Sequence, residues 1–81
     1  MDLNKRDKLE RICKILEENP DDFIVERIDD INADIYMLKE DQRGLGGIII
    51  GDDLSSLVCG SIYPLDHYID EYRSGVRDEL N

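Results

Sequence analysis

Eighty-one residues suffice for one small domain, here with twenty Asp and Glu against ten Lys and Arg and a net charge of −10. A chain of this length buries only about 60–65% of the surface its unfolded form exposes, which leaves little room for a deep enclosed active site. An acidic surface repels phosphate, which excludes direct nucleic-acid binding and anionic membranes, and no apolar stretch approaches the roughly 20 residues of a membrane span.

The charge is unevenly placed. Residues 1–19 carry five acids and five bases, residues 20–43 eight and three, residues 44–81 seven and two. The start, MDLNKRDKLE, is charged and helical and has no apolar signal core, so a cytoplasmic protein is expected. Cys13 and Cys59 match no metal spacing and read as small core hydrophobes.

LNKRDKLERICKILEENP reads as a helix. Leu9, Ile12, Cys13 and Leu16 recur at i, i+3, i+4 and i+7 and make one apolar stripe, with Ile15 beside it. Asn4 can cap the amino end, Asp7 suits the positive end of the helix dipole, and Glu10 and Lys14 form an i, i+4 pair. Pro20 disfavours helical geometry at Asn19, so the helix stops about there.

The next segment admits two forms. Ile24, Ile28, Ile31, Ile35 and Leu38 are spaced as a helical seam, so residues 20–42 can be a second helix. The preferred form is two strands, FIVERIDD and NADIYMLKED, because β-branched residues are frequent and Asp29, Asp30, Asn32 and Asp34 cluster where a turn would want them.

GLGGIII and SSLVCGS are short apolar runs that read as a hairpin, with Asp52 to Ser55 as its loop. Gly44, Gly46 and Gly47 allow positive φ or a bulge before it. In PLDHYIDEYRSG, Leu65, Tyr68, Ile69, Tyr72 and Val76 make a helical stripe; Pro64 suits the first turn, Gly75 the end, and His67, Asp70, Glu71 and Ser74 face outward. Residues 78–81 are expected to fray.

The expected fold is thus α+β, one domain over 1–81 in the order α-β-β-β-β-α. Its antiparallel sheet has three to four strands, with the N-terminal and C-terminal helices packed together on one face.

Gly51-Asp52-Asp53 between two hydrophobic strands resembles motif C of viral RNA-directed polymerases, over about ten residues. Two-metal phosphoryl transfer also needs a further carboxylate across the site, basic groups for the triphosphate and a template channel, and this chain is too short and too acidic to provide them. Asp and Gly are what a hairpin loop selects, so a turn is expected. GLGG is followed by a strand and not by the helix a phosphate loop requires. His67, Cys59 and Cys13 are not brought together by any spacing, and the paired acids sit on turns, where neither carboxyl is desolvated.

A non-catalytic interaction module is therefore expected, without metal or cofactor, acting through a sheet edge or through acidic loops at Asp29, Asp30, Asp34, Asp52 and Asp53. Its partner would be a protein, basic in character, or a second copy as a homodimer. Two alternatives stand beside it. In size, charge and element order the chain is similar to phage-encoded nuclease inhibitors and anti-restriction proteins, which implies imitation of nucleic acid toward a basic nuclease or DNA-binding protein. The other is a metal-dependent enzyme using the Gly51-Asp52-Asp53 hairpin.

Overall fold

Asn4 starts the first helix in a computed structural model of the chain. Its side chain accepts from the Asp7 amide at 2.9 Å, and the Asp7 carboxylate accepts from the Asn4 amide at 3.3 Å, a reciprocal capping box. The model describes residues 4–39, 45–60 and 62–78; Gly44 and the tail residues 79–81 lie outside them. From the cap runs α1 (Lys5–Leu16). It ends before Pro20 is reached, because Glu17 takes a left-handed backbone at φ 60° and the Glu18 amide turns back to the Cys13 carbonyl at 2.8 Å.

The ambiguous segment is two strands, β1 (Phe23–Ile28) and β2 (Ala33–Leu38), paired antiparallel from Phe23 opposite Leu38 to Ile28 opposite Ala33. The Asp/Asn cluster decides it. Asp29–Ile31 make one 3-10 turn, and Asn32 reverses the chain at φ 51°, a region Asn tolerates better than most residues. The expected hairpin is β3 (Leu45–Gly51) and β4 (Ser56–Gly60). A register shift between Leu45 and Gly47 marks a bulge, and a Cβ on Gly46 would overlap the Gly60 carbonyl oxygen. The last helix, α2 (Leu65–Arg73), takes Pro64 as its cap residue and not within its first turn. It closes at Ser74, followed by Gly75 at φ 106°. Val76 lies past the helix and is exposed, so the apolar stripe ends at Tyr72.

The sheet is an antiparallel meander in the order β1-β2-β3-β4. The α+β class and the α-β-β-β-β-α order are as expected, but the shared face is not. Leu9, Ile12 and Cys13 of α1 pack with Ile48 and Ile50. Tyr72 of α2 packs with Ala33, Ile35, Ile49, Leu57 and Cys59, and Leu65, Tyr68 and Ile69 close around them. Neighbouring side chains in a strand point to opposite faces, so the helices cover opposite sides of the sheet and the domain has three layers. The cause lies in β3. Ile48, Ile49 and Ile50 are each 0% exposed, and a sheet covered on one face only would leave every second one in water.

Candidate functional site

The hairpin tip is built by its neighbours. A Cβ on Gly51 would overlap the Tyr72 hydroxyl, so glycine at that position makes room for the end of the α2 tyrosine. That hydroxyl lies 2.9 Å from Ser55 Oγ, which ties α2 to the loop. The Gly51 amide donates to the Ser55 carbonyl at 2.8 Å and the Leu54 amide to the Gly51 carbonyl at 2.9 Å, and these bonds fix the turn.

The two aspartates take different partners. Asp53 Oδ1 accepts from Ser55 Oγ at 2.6 Å and from the Ser55 amide at 3.0 Å, and these bonds hold its carboxyl below the usual range. Asp52 accepts two bonds from Arg27, at 2.7 and 3.0 Å, and one from Lys5 Nζ at 2.6 Å. The forked Arg27 contact first, and then Lys5, hold the Asp52 carboxyl well below the usual carboxylate range.

Of the five acids expected to form an interaction surface, three are brought together. Lys5 also bonds Asp34 at 3.0 Å, and Arg27 reaches Asp34 at 3.6 Å and Asp29 at 3.0 Å. Asp29, Asp34 and Asp52 thus surround two cations, which tie α1, β1, β2 and the hairpin tip together. Asp30 stands apart on Arg73 at 3.4 Å, and Asp53 stands apart on Ser55. Lys5 and Arg27 were not singled out from sequence; the only signal was Arg27 as the one base within β1.

Among the described residues, no group of three His, Cys, Asp or Glu is placed to hold a metal ion. No helix among them is long and apolar enough to cross a membrane. Cys13 and Cys59 are free and buried, and burial pushes their thiols up to about 11 and about 12. His67 is half-buried, stacked on Tyr63 with ring centroids 4.3 Å apart, and its Nε2 lies 2.6 Å from Glu71 Oε1.

The two edges of the sheet are treated differently. Along β4, the Asp78 amide donates to the Ser56 carbonyl at 2.8 Å, and the Asp78 carboxylate accepts from the Val58 amide. Arg77 anchors that segment, bonding the Tyr72 carbonyl at 2.7 Å and Ser55 Oγ at 2.9 Å, with its guanidinium 3.4 Å above the Tyr72 ring. Along β1, no backbone hydrogen bond among the described residues reaches the outer side. Alternate residues of an edge strand direct their N–H and C=O away from the sheet. Ile24 and Val25 are 50% and 59% exposed there, one toward each face.

The chain matches no protein-family model, no curated protein and no solved structure.

Proposed function

We propose that the protein is a non-catalytic interaction module that receives an extended segment of another chain on the open edge of β1. The observation that carries this is the asymmetry of the sheet: Asp78 occupies the β4 edge, while β1 offers backbone unpaired among the described residues, flanked by two half-exposed aliphatic side chains. Strand addition needs that combination, backbone for affinity and alternate side chains for selection. The expected acidic row supports the alternative of nucleic-acid imitation less well, since three of its five carboxylates, Asp34, Asp52 and Asp53, already bond Lys5, Arg27 and Ser55. A thiol nucleophile is disfavoured, since Cys13 and Cys59 lie buried out of a substrate's reach. Two unpaired cysteines favour a reducing compartment such as the cytoplasm.

The test is site-specific photocrosslinking in lysate of the native host. A photoreactive residue at position 25 is compared with one at Asp66, which is exposed on α2. Adducts at 25 only, with the crosslinked segment mapped and the β1 amides gaining hydrogen-exchange protection in its presence, are expected. Equal labelling at both positions, or protection confined to other elements, refutes the proposal.

A further inference from the structure

Resting on the β1-edge proposal, we infer that the segment seated there is basic, with an apolar centre and Lys or Arg toward both ends, and that it is not a second copy of this chain. The strand carries its apolar pair, Ile24 and Val25, between acids at both ends: Asp21 and Asp22 before it, Asp29 and Asp30 after it. Glu26, within the strand, is exposed as well. Arg6, Arg27 and Arg73 each hold one of these acids, yet the side chains of Asp21, Asp29 and Asp30 stay largely in water. Over residues 20–39 there are six acids and two bases, a net of −4.

Two copies of β1 related by a two-fold axis would pair antiparallel, so the start of one strand would meet the end of the other. Asp21 and Asp22 of one copy would then lie near Asp29 and Asp30 of its mate. Like charges placed opposite each other destabilise strand pairing, and here this happens at both ends at once. Shifting the register separates Asp21 and Asp22 from Asp29 and Asp30 only by shortening the paired stretch. A lysine- or arginine-flanked segment meets the opposite situation. Its ammonium or guanidinium groups reach the terminal acids and Glu26, while the methylene stems lie over Ile24 and Val25.

The experiment is an NMR titration of the full, isotope-labelled chain with three synthetic peptides that share one Thr/Val/Ile centre and are flanked by Lys, Ser or Glu. It is run at low and high salt, with sedimentation of the protein alone across concentration. The Lys-flanked peptide is expected to shift the amides of residues 23–28 and to bind about tenfold or more tighter than the Ser-flanked one at low salt, with the gap narrowing at high salt. Val25→Lys, checked for folding by circular dichroism, should weaken that binding. Equal binding of all three peptides at β1 overturns the basic chemistry and leaves the edge proposal standing. A concentration-dependent dimer that Val25→Lys abolishes overturns it in favour of a second copy. A monomer whose β1 amides respond to none of the peptides overturns both.

Discussion

Replacing Ile48, Ile49 and Ile50 by valine, one at a time, tests the three-layer arrangement at its centre. All three side chains are fully buried, Ile48 and Ile50 under α1 and Ile49 under α2. Removing one methylene from such a site costs about 0.5–1.5 kcal/mol, through lost transfer energy and the small void left behind. In a domain of this size about 1 kcal/mol moves the Tm by roughly 4–8 °C, so each variant should melt several degrees lower. Valine is the better probe than alanine, because Ile→Ala at about 2–5 kcal/mol approaches the whole stability expected of so short a chain, about 5 kcal/mol or a little more. Urea unfolding should show a lower midpoint at unchanged slope for all three. Ile24→Thr, on the open edge, serves as the comparison and should stay within about 0.5 kcal/mol of the parent. If Ile49→Val, or both Ile48→Val and Ile50→Val, are as silent as Ile24→Thr, β3 has an open face and the sandwich is wrong.

Glu17→Gly should stabilise the protein by about 1 kcal/mol, since an L-residue in the left-handed region is strained by about that much and glycine is not; an unchanged or lower calorimetric Tm would refute this. Cys13 and Cys59 should react with a disulfide reagent at pH 8 only as fast as the chain opens, and both should be released in urea, whereas rapid native labelling would contradict their burial. Their raised folded-state values mean that the associated stability is present below the ordinary thiol pKa of about 8.5 and is lost as pH rises through about 11 to 12. Asp52 and Asp53 work in the opposite sense. Their lowered values make a contribution that is present above the ordinary carboxylate pKa of about 4 and is lost as pH falls through the folded-state values. Urea midpoints should therefore decline below about pH 4, and less steeply in Asp52→Asn; superimposable acid limbs would show that the Lys5 and Arg27 contacts contribute nothing.

The parts of the fold that sequence disclosed are those governed by local chemistry. Asn4 with Asp7 announced the start of α1, the Asp/Asn cluster from Asp29 to Asp34 announced a turn, and Gly-Asp-Asp between two apolar runs announced a hairpin. The C-terminus of α1 was not legible, because glutamate has no preference for the left-handed cap that Glu17 adopts. The placement of the helices was misread for a different reason. Periodicity shows that a helix has a face to bury, not which side of a sheet will take it. The three consecutive isoleucines of β3 did carry that information, since a run without alternation belongs to a strand covered on both sides. At the candidate site, the acids could be counted but their partners could not. Lys5 and Asp52 lie 47 positions apart and meet only once the sheet has formed.

Covering both faces of the sheet has a consequence for where a partner can bind. Ile48, Ile49, Ile50, Leu57 and Cys59 lie beneath helices, so the aliphatic surface still open on the sheet includes Ile24 and Val25 of β1. Edge strands are usually kept from pairing by a lysine or another charge directed outward, by a bulge or by a covering segment. The β4 edge follows that rule through Asp78. On β1 the single basic side chain, Arg27, is paired with Asp52, Asp29 and Asp34 while staying 41% exposed, and beside it Ile24, Val25 and Glu26 are exposed as well. The same contact that fixes the hairpin tip thereby pairs the one cation of the strand with carboxylates. Acids at both ends of such an edge disfavour a second copy and favour a segment of opposite charge, which is the recognition we propose for β1.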